Sequence, residues 1–373
     1  MAKDKMNIPQ IRFKGFEGEW NNRIIDGVIQ LRSEVGNQEY FTVDIELENL
    51  VSNLGVIVGD TTVRTQANSL FRSGDILFGR LRPYLNKWWL ANTDGVKSGE
   101  IWALYPKSEG SNRFIYSLIQ TEKFLTYVNL TSGTKMPRAD WSVIKNHSID
   151  IPKLNEQTQI GDFFQKIDQV IELQQQKVEQ SERYKKAMLQ KMFPQKGEKV
   201  PRVRFAGFSG DWIGGFIADI LVVNSGKDYK HLERGNIPVF GTGGYMLSVN
   251  KALSNEDAIG LGRKGTINKP QYLRAPFWTV DTLFYLTAKP FVKINFSYYL
   301  LQEINWLKYD ESTGVPSLSK RTIEKVKVFY PSLDEQIQIG KFFQKLDQQI
   351  EQQAQKLATY QQLKKAILQR MFV

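Results

Sequence analysis

The sequence predicts an α+β fold. Two globular domains are joined by two long helices, paired as an antiparallel coiled coil within one chain to give a pseudo-two-fold repeat. Three observations carry that expectation. LNEQTQIGDFFQKIDQVIELQQQKVEQSERYKKAMLQKMF at 154–193 recurs at 333–372 as LDEQIQIGKFFQKLDQQIEQQAQKLATYQQLKKAILQRMF, with 24 of 40 aligned positions identical. A shorter pair heads each half, IRFKGFEGEW at 11–20 and VRFAGFSGDW at 203–212. The segments between these bookends are unlike one another. A period this long exceeds that of solenoid repeats, so each copy is a whole domain plus a helix.

In chain order, residues 1–152 form the first domain, 153–193 a central helical spacer, 194–331 the second domain and 332–373 a distal helical spacer. Within the first domain, GDILFGRL (74–81) and EIWALYP (100–106) are short apolar runs bounded by Gly, Pro and Asp, which marks strands. A helical stretch follows at 112–128. Pro152 precedes the first long helix, where Asn155 is an N-cap candidate. Its seam positions Ile160, Phe164, Ile167, Ile171, Gln174 and Val178, apolar except for Gln174, keep the alternating spacing of a coiled-coil seam. The linker 194–201 carries Pro194, Gly197 and Pro201, which stop the helix. In the second domain DAIGLG (257–262) and TVDTLFYL (279–286) read as strands and 295–309 as a helix. Pro331 and Asp334 repeat the start of the long helix, whose seam is Ile339, Phe343, Leu346, Ile350, Gln353, Leu357 and Tyr360. Each long helix has about 39 residues, or roughly 58 Å at ~1.5 Å per residue. Gln174 and Gln353 occupy equivalent seam positions, where a polar residue penalises slipped registers. Lys185–Lys186 and Lys364–Lys365 fall on the face away from the seam, as solvated side chains or partners of the C-terminal dipole.

The chain has no cysteine and two histidines, His147 and His231, which excludes disulfides and thiolate chemistry and argues against zinc. No signal core or membrane-length apolar run is present, so a cytoplasmic protein is expected. The net charge is +11. It is uneven: residues 1–152 carry 18 basic and 17 acidic side chains, residues 194–331 carry 19 and 12. Nucleic acid is the natural partner of so basic a domain.

Enzymatic signatures fail on context. GLGRKG at 260–265 matches G-x-G-x-x-G, but no helix follows, and it lacks the G-K-[ST] of a phosphate loop. Asp219, Asp228 and Lys230 have the order of a metal nuclease without a second anchoring motif. No G-x-S-x-G elbow accompanies the histidines. Basic and aromatic loops are the better candidates. Arg64, Arg72, Arg80, Arg82, Tyr84, Lys87 and Trp88 crowd around the strand DILFG. Arg263, Lys264, Asn268, Lys269, Gln271, Tyr272 and Arg274 follow DAIGLG. Lys135 and Arg138 extend the first set, and Lys227, Lys230 and the turn Gly243, Gly244, Tyr245 extend the second. Arg makes bidentate contacts to guanine, and Asn or Gln to adenine. Gly79, Gly262 and Gly265 permit close backbone approach to phosphate. Arg80 and Arg263 follow equivalent strands. On residues alone, a coiled-coil scaffold joining two non-DNA domains and a stand-alone nuclease stay open; weak, salt-independent retention on DNA marks the first, metal-dependent cleavage the second.

The combined pattern resembles the DNA-specificity subunit of type I restriction–modification enzymes over essentially the whole chain. The order P..RF.GF.G.W, variable domain, EQ.QIG.FF.K.D..I helix, then the same again, is that of the family. GDILFGRLRPYLNK (74–87) and the stretch 237–286 look like its target-recognition loops. The resemblance implies two target-recognition domains, each reading one half of a bipartite site in double-stranded DNA. It implies helices that set the unread spacer and dock two methyltransferase subunits, with restriction/translocase subunits joining that core. It implies a bacterial or archaeal protein with no active site, cofactor or membrane contact of its own.

Overall fold

The computed structural model describes residues 7–36, 38–62, 69–107, 110–130 and 136–373. It forms two compact units, Met1–Gln175 with Gln355–Val373, and Gln176–Ala354. In the first unit come the strands β1 (Asn21–Ile24), β2 (Ile29–Leu31), β3 (Asp44–Ile45), β4 (Ser69–Phe71), β5 (Ile76–Gly79), β6 (Trp88–Leu90), β7 (Gly95–Lys97) and β8 (Ile101–Pro106). The helices α1 (Asn112–Leu118), α2 (Glu122–Asn129) and α3 (Trp141–Ile144) follow, and β9 (Ser148–Ile151) leads into the long α4 (Leu154–Met192). The main sheet has the order β2-β8-β5-β6, a smaller one β3-β7-β4, and β1 pairs with β9 as a ribbon. β5 is buried along its whole length, which is why its sequence is continuously apolar rather than alternating. Ile76 and Phe78 face a core built with α1 and the long helices, while Leu77 faces the core under the smaller sheet.

The second unit opens with β10 (Ile213–Phe216), α5 (Ile217–Ile220), β11 (Leu221–Ser225), β12 (Arg234–Gly241), β13 (Gly244–Val249), β14 (Ala258–Gly262), β15 (Gln271–Leu273), β16 (Trp278–Thr279) and β17 (Leu283–Ala288). It closes with α6 (Ile294–Glu303), α7 (Lys320–Glu324), β18 (Lys327–Tyr330) and the long α8 (Leu333–Met371). Its main sheet, β11-β17-β14-β15, has the connectivity of the first unit's main sheet, and β10 pairs with β18 as β1 does with β9. The smaller sheet is different, with order β13-β12-β16 and a hairpin at its edge.

The repeated sequence now has a physical account. Arg12 grips Glu156 through Nε and Nη2 at 2.7 and 2.8 Å and donates Nη1 to the Gly18 carbonyl at 2.5 Å. Arg204 does the same to Glu335 at 2.7 and 2.7 Å, and to the Gly210 carbonyl at 2.6 Å. Gly15, Gly18, Gly207 and Gly210 all have positive φ, the conformation that selects glycine at these turns. Phe13 meets Phe163 edge-on, as Phe205 meets Phe342, and Trp20 and Trp212 are buried. Gln157 and Gln336 each donate to the carbonyl of the preceding proline, Pro152 or Pro331, and accept from the backbone N–H of Ser111 or Lys293 ahead of α1 or α6. The shared Arg, first Phe, glycines and Trp of the two heads, with the two EQ pairs, thus build the joint between a domain and a helix.

α4 and α8 each have 39 residues. Their first seam residues serve as domain core. Ile160 and Phe164 pack with Leu368 and Met371 in the first unit, and Ile339, Phe343 and Leu346 with Leu189 and Met192 in the second. In each unit the start of one long helix therefore lies beside the end of the other. Gln174 is buried, and Gln353 accepts a hydrogen bond from the Ser181 hydroxyl at 3.0 Å.

Four expectations are corrected. Asn155 and Asp334 lie inside the first helical turn, because the helices start at Leu154 and Leu333. The stretch 112–128 is two helices, since the Thr121 hydroxyl accepts from the N–H of Phe124 and caps α2. The stretch 295–309 ends its α-helix at Glu303 and continues as a 3-10 turn at Trp306–Tyr309. Lys185 and Lys364 are not solvated. They form ion pairs with Asp347 and Asp168, each at 2.6 Å, on the other long helix.

Candidate nucleic-acid interface

The main sheets place one arginine in the same socket of each unit. Arg80 follows β5; its N–H donates to the Glu100 carbonyl and its carbonyl accepts from Ala139, both at 2.8 Å. Arg263 follows β14; its N–H donates to the Thr282 carbonyl at 2.8 Å and its carbonyl accepts from Leu318 at 2.9 Å. Both guanidinium groups lie over an aromatic ring of the neighbouring strand, Trp102 at 5.8 Å and Phe284 at 5.9 Å. A stacked guanidinium keeps its edge donors directed outward. Arg80 is half-buried and its Nε has no hydrogen-bond partner, whereas Arg263 is exposed.

The surroundings of the two arginines differ. Exposed Arg138 forms a bidentate pair with Glu100 at 2.6 and 3.1 Å, which lowers the Glu100 carboxyl. Lys87 donates to the Leu47 carbonyl at 2.8 Å. Lys97, on β7, is 5% exposed and donates to the Ile101 carbonyl at 2.7 Å. Burial first, and the nearby positive charge of Arg80 second, push the Lys97 ammonium down to about 8. Arg82 stands at a left-handed backbone position with Tyr84, also exposed, two residues on. Arg64 and Lys135 lie outside the described residues.

In the second unit Lys264, Asn268, Lys269, Arg274, Lys227 and Lys230 are all exposed. The segment GTGGY is a tight hairpin: Gly241 pairs with Gly244, and Thr242 and Gly243 form the turn. Gly243 and Gly244 have open space around them, and Tyr245 beside them is 63% exposed. Tyr272 turns the other way. Its hydroxyl donates to Asp257 at 2.8 Å, and burial followed by that bond raises the phenol well above its ordinary value. Gln271 is spent on the Gly241 and Thr242 carbonyls.

Two glycines expected to admit phosphate are filled from within. A Cβ on Gly79 would lie 2.7 Å from Leu47, and one on Gly262 only 2.1 Å from the Thr266 carbonyl, so both serve close packing of the chain on itself. The aromatic platforms Trp102 and Phe284 were missed by sequence reading; their signal is one apolar strand beside another, each ending near an arginine. Among the described residues no group of His, Cys, Asp and Glu is arranged to hold a metal ion, and no helix is long and apolar enough to cross a membrane.

The model of the type I restriction modification DNA specificity domain matches the chain twice, over residues 21–183 and 210–360. The chain belongs to that family. Among curated members, the EcoprrI specificity subunit of Escherichia coli is 23% identical over 142 residues, which is 35% of each chain. The EcoDI specificity subunit of the same organism is 24% identical over 167 residues, 42% of this chain and 37% of that one. These matches therefore span little more than a third of the curated relatives. In fold, the crystal structure of a type I S subunit from M. genitalium superposes with a TM-score of 0.68 at 20% identity, covering 98% of this chain and 99% of that one. A second structure, solved to explain complex assembly and conformational transition of the type I system, gives 0.56 at 16% identity, covering 94% and 97%. The specificity-subunit architecture is thus shared along the whole chain: two α+β target-recognition domains and two long helices.

Proposed function

We propose that this chain is the non-catalytic, sequence-reading subunit of a type I restriction–modification complex. Residues 1–152 and 194–331 are its two target-recognition domains, and each reads one half of a bipartite, asymmetric site in double-stranded DNA. Residues 153–193 and 332–373 set the unread spacer and dock two methyltransferase subunits, and restriction/translocase subunits join the complex. The observation that carries this reading is the pair of equivalent sockets. One arginine is aimed from the same strand end in each unit, while the surrounding loops and the smaller sheet differ. A shared frame with unlike surroundings is what reading two different half-sites requires.

In the first domain Arg80, Arg82, Tyr84 and Arg138 face DNA, and Lys87 supports the loop that carries them. In the second, Arg263, Lys264, Asn268, Lys269 and the Gly243–Tyr245 hairpin tip face DNA, with Lys227, Lys230 and Arg274 as outlying phosphate contacts. Tyr272 acts by holding Asp257. The test is methylation mapping of cells with and without the gene for this chain. The expected result is loss of one bipartite adenine-methylated motif; an unchanged methylation pattern contradicts the proposal, as does turnover of DNA by the purified chain free of partners.

A further inference from the structure

α4 and α8 hold a pair of clamps that repeat with the sequence. In the first unit Asp168 of α4 meets Lys364 of α8 at 2.6 Å, and the same ammonium donates to the Gln120 side chain just past α1, also at 2.6 Å. In the second unit Asp347 of α8 meets Lys185 of α4 at 2.6 Å, and Tyr299 of α6 donates its hydroxyl to that carboxylate at 2.8 Å. The side chains are largely withdrawn from water, at 11% and 26% exposure in the first pair and 19% and 34% in the second. Asp168 and Asp347 are equivalent residues of the repeat, as are Lys185 and Lys364. Each copy thus carries one acid and one base, spaced so that two antiparallel copies satisfy both in a single register.

Apolar seams alone do not fix that register. A coiled coil can slip by one heptad and return the same faces to one another. Slipped one way, Asp168 would face Leu357 and Asp347 would face Val178. Slipped the other way, they would face Met371 and Met192. Either slip strands two carboxylates against apolar side chains and two lysines without partners, which is costly in a part-buried seam.

We propose that the Asp168–Lys364 and Asp347–Lys185 pairs are the positioning residues that lock the two long helices in one register and tie that register to each domain through Gln120 and Tyr299. Resting on the reading of the helices as spacer, they thereby fix the single spacer length of the target. Seam packing contributes affinity between the helices; the clamps choose the alignment.

The chain lacks cysteine, so introduced pairs report register directly. Ser181 and Gln353 touch in the native alignment. S181C with Q353C should cross-link, and S181C with Y360C, one heptad on, should not. Adding D168N and D347N should raise the second cross-link about tenfold, by the coupling typical of such pairs. In cells with the methyltransferase subunits, the same D168N/D347N variant should modify sites with altered spacers and unchanged half-sites. Exchanging acid and base within both pairs should restore one register and one spacer; if that variant does not fold, the Asn variant decides. Wrong-register cross-linking at the wild-type level in a folded D168N/D347N protein overturns the proposal. A wild-type subunit that directs methylation to no bipartite site overturns the functional reading alone, since the cross-link does not depend on DNA.

Discussion

In the first unit three cations near the stacked arginine are held by the protein, Arg138 by Glu100, Lys87 by a backbone carbonyl and Lys97 by burial, while Arg82 stays exposed. In the second unit the corresponding loops display Lys264, Lys269 and Arg274 at the surface beside an open hairpin. Yet the main-sheet order, the ribbon, the buried Trp and the Arg–Glu grip are the same in both. Duplication has preserved what joins a domain to a helix and released what faces outward. Side chains buried at a junction must satisfy one another, whereas exposed loops on a rigid sheet can change without unfolding it.

The largest expected effect breaks the common frame. Arg204→Ala leaves Glu335, 1% exposed, without its guanidinium, and should destabilise the second unit by about 3 kcal/mol. Arg12→Ala should do the same to the first unit, with Glu156 at 3%. Hydrogen exchange resolves the two units; unequal losses would mean that the frames are not energetically equivalent. Next, Arg263→Ala should cost about 1–3 kcal/mol of binding at one base position, with the rest of the target discriminated as before. Binding to targets substituted at each position in turn checks this.

A smaller effect separates the units by pH. Lys97 titrates near 8 in the folded protein against an ordinary 10.5, so between those values the unfolded chain binds more protons. Stability of the first unit should therefore rise as pH increases from about 8 toward 10.5, and the burial penalty is fully present below 8. Lys97→Met should abolish that slope in urea unfolding followed from the first unit, and leave the second unit unaffected. The smallest effect concerns Glu100. Glu100→Gln weakens the hold on Arg138 and should steepen the salt dependence of DNA binding by about one unit of slope, with no counterpart in the second unit.

Much of the frame is legible in the sequence because it is written twice. The 154–193 and 333–372 repeat gives both long helices, and the continuous apolar runs at 76–79 and 258–262 give both central strands. The equivalence of Arg80 and Arg263 follows from those runs. What the residues hide is pairing across distance. Nothing local says that Lys364 meets Asp168 rather than water, because a lysine about half the chain away looks like any solvated lysine on a helix. The commitment of Arg138 to Glu100 and of Tyr272 to Asp257 is hidden for the same reason. The smaller sheets, made of strands as short as Asp44–Ile45 and Trp278–Thr279, have too few residues to show a period.

The central claim, one frame carrying two different readers, is tested most directly by mapping methylated sites in cells whose only specificity subunit is wild type, Arg80→Ala or Arg263→Ala. The expected result is a bipartite wild-type motif, with relaxation confined to one half in the first variant and to the other half in the second, at an unchanged spacer. Loss of discrimination in the same half from both folded variants would contradict it.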